Sequence, residues 1–380
     1  MVIANSDSTG TLVSLESALK RVSSLEALQA NRSEEVSLRQ TNLRVSGDSE
    51  CIDDTSEGQD VPIYLPKSGS SLDVDECLQC LPQILDARDA FLSVDPAHFS
   101  RFSRERILYV GQGEVAHAVP AQCDVIMSDK ATTCHILALR SCSDDNAPLV
   151  SLSHIDSTSY EKCIRSMVVR HRNHHWRGEK KVAISVHVMG GFNDIDGTSQ
   201  NISNWMIHLL ADIADEERES LCLAFKTCSI SCLNDSGNGS PVGRGLAIDL
   251  VSGDAFLARC DEDVSGPLPV LRSARLFTRN TAAPRLNQIH CEKSCYTIIE
   301  PFAYSPFRGM ESFLKMPDDL LLQYTSTSPD CEEDSFCDSL RATLKLIRDV
   351  PYCKIFGDRC DKTLVYKRIG RSNCWTQIVL

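Results

Sequence analysis

The chain has 380 residues, 42% hydrophobic and 24% charged, an ordinary globular composition with length for one large domain or two small ones. Its formal net charge of −13 argues against nucleic acid and anionic membrane as partners. No stretch approaches the ~18 apolar residues of a membrane span. The N-terminus, "MVIANSDSTGTLVSLESALK", has no basic region followed by an apolar core. A soluble, intracellular protein is expected, in the cytoplasm, with the nucleus as the other candidate compartment.

Residues 1–58 are rich in Ser, Asp and Glu and hold no aromatic residue. Leu12, Leu15, Leu19 and Val22 fall at helical spacing, so one short amphipathic helix is expected, with flanks such as "SGDSECIDDTSEGQD" too polar to fold. The acidic residues Asp7, Glu16 and Glu26 argue against a transit peptide. The segment is read as a disordered extension ahead of a single domain at 59–380. From Val61 the composition becomes that of a core. "VPIYL" reads as a strand, "DECLQCLPQILDARDAFL" as helix broken or started at Pro82, and "RILYV" as a strand. Strands follow at "CHILALR" and "PLVSLSHID", then a helix from about Ser159 to His171. "KKVAISVHVMGG" is a strand ending in a glycine turn, "SNWMIHLLADIADEERES" an amphipathic helix, and "CLAFKTCSISCL" and "GRGLAIDL" are strands. Looser chain runs to Pro301, and helices return at "MESFLKM", "PDDLLLQYTS" and "SFCDSLRATLKLIRDV". Strands and helices mix without βαβ regularity, which favours an α+β sandwich over a doubly wound sheet.

Two features invite functional readings that the residues do not sustain. Gly111-x-Gly113-x-x-Ala116 follows a strand and matches a dinucleotide fingerprint, but that motif needs a helix to open there. Pro120 leaves too little room for one, so a β-turn is expected. Eighteen cysteines include the close pairs Cys77/Cys80, Cys228/Cys232 and Cys291/Cys295, none with a second pair at zinc spacing. Reduced, mostly buried thiols are expected. "HRNHHW" (171–176) is read as a solvated loop rather than a metal site.

The stretch "SDKATTCHILALR" places Cys134 and His135 at the mouth of a strand. Neighbouring side chains on a strand diverge, so His135 is a poor base for Cys134. The turn-rich "SCSDDNA" joins this strand to "PLVSLSHID" as an antiparallel hairpin. Counting back from pairing near Arg140–Ser141 and Pro148–Leu149 brings Cys134 opposite residue 154 or 155, and His154 meets that requirement within one register step. An imidazole there takes the thiol proton, and the thiolate attacks an electrophilic carbon. Ser128, Thr132, Thr133 and Asp156 are nearby candidates for the third polar group.

The segments "SDKATTCHILALR", "LSHIDST", "VHVMGGFND", "CLND", "YSPF" and "TSTSP" occur in this order in the protein N-terminal asparagine amidohydrolase family, which the chain resembles from about Val61 to its end. The resemblance implies an α-β-β-α sandwich related to bacterial cysteine deamidases. Those enzymes use a cysteine, a histidine a short distance downstream, and a serine or threonine shortly before the cysteine; Cys134, His154 and Ser128 match that order. The implied reaction converts an N-terminal asparagine of a protein or peptide to aspartate, a substrate for arginylation and degron recognition. Neither metal nor organic cofactor is implied, and a monomer is expected, with an arginyltransferase acting downstream.

Recognition of the substrate α-ammonium calls for a carboxylate or carbonyls. Asp129, Asp156 and Asp194 lie in the shared segments, and Phe192, Tyr304 and Phe307 are candidate pocket walls. Glutamine is longer by one methylene, and pocket fit alone discriminates by about 10–200-fold. Three other readings stand beside this one: a glutamine-directed cysteine deamidase, a non-catalytic binder of N-terminal residues, and a redox-sensing scaffold.

Overall fold

A computed structural model describes residues 73–143, 146–176, 178, 181–278 and 285–378. The N-terminal extension and the strand expected at "VPIYL" lie outside the described residues. Alternating side chains dictate the layers. In β5 (His135–Ser141), Ile136 and Ala138 point one way and Leu137 and Leu139 the other, and all four are fully buried. A strand apolar on both faces needs cover on both, here a second sheet on one side and helices on the other.

The smaller sheet contains β1 (Ala97–Phe99), β2 (Ile107–Tyr109), β4 (Val125–Ser128), β9 (Leu246–Asp249) and β10 (Ala255–Cys260), ordered β1-β10-β9-β4-β2. The larger adds β3 (Glu114–Ala118), β6 (Leu149–Ile155), β7 (Val182–Gly190), β8 (Leu221–Ile230), β11 (Asn287–His290), β12 (Tyr296–Ile299), β13 (Leu364–Arg368) and β14 (Trp375–Ile378), in the order β14-β13-β12-β11-β3-β6-β5-β7-β8. Both sheets mix parallel and antiparallel pairs. Leu108, Ile126, Leu246 and Ile248 of the small sheet meet Ala116, Ile136, Val150 and Leu152 of the large one.

Helices α1 (Val74–Gln79), α2 (Pro82–Leu92), α3 (Glu161–His175) and α4 (Thr198–Glu216) contribute to the core on the other face of the large sheet, through residues such as Leu78, Ile84, Met167 and Met206. The expected break at Pro82 falls between α1 and α2, with proline in the first turn of α2 where its missing N–H costs nothing. A further core joins α5 (Pro269–Ser273), α6 (Met310–Lys315), α8 (Phe336–Asp349) and α9 (Tyr352–Phe356) to β12 and β13; α7 (Asp318–Thr325) precedes α8. The architecture is a mixed α+β sandwich of two sheets flanked by helices. Among the described residues no helix is long and apolar enough to cross a membrane.

Several expectations change. The chain before Pro301 holds β10, β11 and β12, strands too short for their period to show. Strands β3 and β4 also lacked a sequence signal. Among the described cysteines all are free, but Cys80, Cys142, Cys222, Cys295 and Cys374 are exposed, so the buried description fits only part of the set.

The "HRNHHW" cluster is not a solvated loop. Helix α3 runs on to His175, and His171 and His175, one turn apart, are both buried. His171 Nδ1 bonds Ser141 Oγ at 2.6 Å and its Nε2 bonds Ser151 Oγ at 2.8 Å. Ser151 Oγ also meets His117 Nδ1 at 2.7 Å. Burial, and then the nearby Arg170, lower His117 to about 3; burial and the neighbouring histidines hold His171 well below its ordinary value. These rings are neutral when folded, whereas an unfolded histidine takes up a proton below 6.5. Their contribution is therefore complete above 6.5 and is lost as pH falls toward about 3. Urea midpoints should drop between about pH 7 and pH 5, and His117→Gln should flatten that slope while lowering the neutral-pH midpoint; an unchanged slope would remove His117 from the account.

Candidate active site

Cys134 is the last residue before β5, half-buried, with its side chain against the apolar layer between the sheets. The hairpin forms as expected, with Ser141 paired to Leu149 at the far end of the expected range and His135 paired to Ile155. One further step would bring Cys134 opposite Asp156, so His154 is two positions off rather than directly across. A two-step offset preserves the face: His154 pairs with Ile136, whose side chain lies on the Cys134 side. Such diagonal neighbours lie about 7–8 Å apart, within reach of an imidazole. His135 points to the helices instead, its Nε2 bonded to Ser203 Oγ of α4 at 2.7 Å. The predicted divergence of Cys134 and His135 holds.

Ser128 comes from the other sheet. It ends β4, faces inward like Ile126, is fully buried, and its Oγ lies 2.8 Å from His154 Nδ1. Nδ1 is thereby engaged, and Nε2 is the remaining ring nitrogen. The backbone of His154 is held by the glycine turn that resembled a nucleotide motif: Gly113 N–H donates to the His154 carbonyl at 3.0 Å. Strand β3, not a helix, follows that turn, as expected.

A second glycine turn closes on Cys134. Gly190 and Gly191 have φ of 129° and 69°, and Gly191 N–H donates to the Cys134 carbonyl at 3.0 Å. A Cβ on Gly191 would lie 2.8 Å from the His135 ring, and one on Gly190 would run into the Cys134 carbonyl. Asn234, fully buried in "CLND", binds this turn through Nδ2, which donates to the carbonyls of Gly191 and Gly243, each at 2.8 Å. On the opposite side Thr133 Oγ1 meets Thr327 Oγ1 at 2.7 Å, tying "TSTSP" to the cysteine turn.

The electrostatics keep both the Cys134 thiol and the His154 ring neutral at rest. Burial first, then the negative charges of Asp156 and Glu332, push the Cys134 thiol well above its ordinary value, against a hydrogen bond from Thr133. Burial lowers His154 to about 4, opposed by Asp156 and Glu114. Burial disfavours a charge on Glu114, yet Arg272 and Arg275 beside it hold its carboxyl below the usual range; Arg272 Nε donates to Oε1 at 2.9 Å. His154 therefore sits near a buried carboxylate that is itself neutralised by arginines.

The sequence-selected acids separate into different places. Asp156 is half-buried beside the thiol, accepting from Gln112 Nε2 at 2.9 Å and Tyr160 Oη at 2.7 Å. Asp129 accepts from Tyr109 Oη and Cys260 N–H, both at 2.9 Å. Asp194 receives the N–H groups of Thr198 and Ser199 at the start of α4. Phe192 is buried directly after the glycine turn. Tyr304 and Phe307 belong to the core around β12 and α8, where Tyr304 Oη donates to the Val350 carbonyl at 2.8 Å. Sequence reasoning missed Asn234 and Thr327, although both lie in segments singled out, and Glu332, which lies in the acidic run "CEEDS". Among the described residues no group of three or more His, Cys, Asp or Glu is placed to hold a metal ion.

A family model for protein N-terminal asparagine amidohydrolase matches residues 97–377. Protein N-terminal asparagine amidohydrolase of Sus scrofa is 28% identical over 277 residues, 72% of this chain and 84% of that one. The protein of the same name from Mus musculus is 27% identical over the same shares. That from Arabidopsis thaliana is 25% identical over 299 residues, 72% and 83% of the two chains. These likenesses place the chain among the amidohydrolases. With the match covering most of its length, it belongs to the protein N-terminal asparagine amidohydrolase family. The matched region starts later than Val61, where the shared segments were read to begin.

Gly190→Ala should disrupt the Cys134 turn, because the added methyl meets backbone that cannot give way. A loss of activity at least as large as in Gly191→Ala, with a lowered melting temperature, is expected in parallel assays; wild-type behaviour would show that the turn relaxes freely.

Proposed function

We propose that the protein hydrolyses the side-chain amide of an N-terminal asparagine, releasing ammonia and leaving an N-terminal aspartate. The observation that carries the mechanism is the convergence of Cys134, His154 and Ser128 from two sheets, with Ser128 bonded to Nδ1. With Nδ1–H donating to Ser128 Oγ, Nε2 is the lone-pair nitrogen, and the tautomer is the one a general base requires. A neutral imidazole at rest is a base ready to act, and a neutral thiol needs one.

Cys134 Sγ attacks the amide carbon as its proton passes to His154 Nε2. Backbone N–H groups of the Cys134 turn hold the oxyanion. The C–N bond then breaks, His154 returns the proton to the departing nitrogen, and ammonia leaves a thioester. Water, deprotonated by His154, attacks the thioester and releases the carboxylate and the thiol. Phe192, buried after the glycine turn, is assigned to the pocket wall. Asp156 is the selected acid that stays with the thiol, while Asp129 and Asp194 have both oxygens committed elsewhere. The new N-terminal aspartate suits an arginyltransferase acting next, in the cytoplasm or nucleus.

Mass spectrometry of three peptides tests the reaction: Asn first, Gln first, and Asn second. Only the Asn-first peptide should gain about 1 Da, and Cys134→Ala should abolish the change. Ser128→Ala should lower kcat by roughly 10²-fold through loss of ring orientation. Because His154 must be neutral to accept the proton, kcat/KM should stay flat through neutral pH and fall only as pH drops toward about 4. A fall beginning near 6.5, the ordinary histidine value, would contradict the assigned environment. Conversion of the Gln-first peptide instead would make the chain a glutamine deamidase.

A further inference from the structure

In the proposed mechanism the oxyanion rests on backbone N–H groups, and a backbone is aimed only by what grips it. The approach to the nucleophile, Ala131–Cys134, is gripped at both ends. Ala131 N–H donates to the Arg244 carbonyl at 2.9 Å, and the Cys134 carbonyl accepts from Gly191 N–H at 3.0 Å. Between these grips the N–H groups of Thr132, Thr133 and Cys134 donate to no acceptor among the described residues, although Thr132 and Thr133 are buried. Ser199 Oγ of α4 lies 3.5 Å from the Thr133 carbonyl oxygen. Across a planar trans peptide the next N–H points the opposite way, so the Cys134 N–H is directed away from α4. Buried N–H groups are normally paired, and one left open beside a nucleophile suits a developing oxyanion.

Both grips converge on one side chain. Asn234 closes the short helical turn Ser231–Asn234 after β8 and is fully buried. Its Nδ2 donates to the carbonyl of Gly191, the residue that holds Cys134, and to that of Gly243, the residue before Arg244, each at 2.8 Å. Its Oδ1 accepts from Gly243 N–H at 2.8 Å and from Ser229 Oγ at 3.3 Å. The backbone adds to the grip: the Asn234 carbonyl accepts from Val242 N–H at 2.7 Å, and Asp235 accepts from Asn193 N–H at 2.9 Å. The amide thus has both N–H donors and both oxygen lone pairs in use. An aspartate in its place would offer no donor, and an apolar residue would leave two carbonyls and an N–H without this partner.

We propose that Asn234 is a positioning residue for the oxyanion site: its amide clamps the Gly190–Gly191 turn to the Gly243–Arg244 turn and so fixes the peptide plane that carries the Cys134 N–H. It acts through the two turns, not on the substrate. This assignment rests on Cys134 as the nucleophile of the amidohydrolase reading above. It divides the labour of the site. Ser128 and His154 serve proton transfer and are bonded to each other rather than to Asn234. Asn234 serves only those steps in which a carbonyl oxygen gains charge. Loosening the clamp therefore slows attack on a carbonyl but spares reaction of the same thiol with an alkyl halide, which forms no oxyanion.

Two small electrophiles compared at one cysteine test this, with peptide mapping to separate Cys134 from the other thiols. p-Nitrophenyl acetate acylates the sulfur through a tetrahedral oxyanion and expels nitrophenolate; iodoacetamide alkylates it by direct displacement of iodide. In Asn234→Ala, acylation of Cys134 and kcat on the Asn-first peptide should both fall by about 10²-fold while alkylation keeps its wild-type rate. Affinity for that peptide, measured by calorimetry with Cys134→Ala added, should also hold. Ser229→Ala withdraws only a bond to Oδ1 and should show the same selective loss to a smaller degree; if thermal melts show Asn234→Ala unfolded, Ser229→Ala decides by the same criteria. A matched loss of acylation and alkylation would mark a merely structural role and overturn the proposal, as would acylation at the wild-type rate. If acylation is lost selectively while wild type releases no ammonia from the peptide, the positioning role stands and the hydrolytic reading falls.

Discussion

A single hydrogen bond between sheets organises the site. Packed sheets lie about 10 Å apart, so two short polar side chains meet across the gap only where both point inward at the same height. Ser128 at the end of β4 and His154 near the end of β6 satisfy this at 2.8 Å. A one-residue slip in either strand would turn one partner out of the layer. Around them Ile126, Ile136 and Leu152 are fully buried and hold that register by packing. The apolar layer and the polar pair therefore constrain each other.

The polar surroundings explain how a histidine survives in such a place. A charged imidazole here would be costly, and burial keeps the ring neutral. Glu114, near enough to raise the basicity of the ring, is itself neutralised by Arg272 and Arg275. The result is an imidazole that stays neutral at neutral pH, with a carboxylate in place to favour its charged form in the proposed proton transfer from the thiol. The negative charge of Asp156 serves the same end for His154 while opposing ionisation of the thiol. Activation by proton transfer during attack fits this field better than a standing thiolate.

What could be read from the sequence was local. The Cys134–His154 relation lies within one hairpin, where the turn and the alternation limit the choices, and the residual uncertainty was one of register. Pairing Ser141 with Leu149 shifted the histidine two steps along the strand yet kept it on the thiol's face. The divergence of His135 followed from period two alone. The contributions of Asn234, Thr327 and Glu332 were not legible, because they depend on contacts far along the chain and on residue types that usually serve turns and solvated surfaces. Helix α3 misled for a related reason: polar His171 and His175 broke the apolar pattern, while buried serines supplied partners that no local rule predicts. Short strands such as β11, with the residues "NQIH", gain their place from neighbours rather than from composition.

The bond between Thr133 and Thr327 joins positions 194 residues apart. On a growing chain the hairpin carrying Cys134 and His154 emerges early, followed by β7. The partner strand β9 beside β4 comes only at Leu246, and the wall that docks on the cysteine turn arrives later still. A chain interrupted before residue 326 keeps the thiol and the imidazole on their hairpin while lacking that wall. Translation thus delivers the Cys134–His154 hairpin first and the segment that docks on it last, and a premature stop between the hairpin and residue 326 removes the latter while sparing the former.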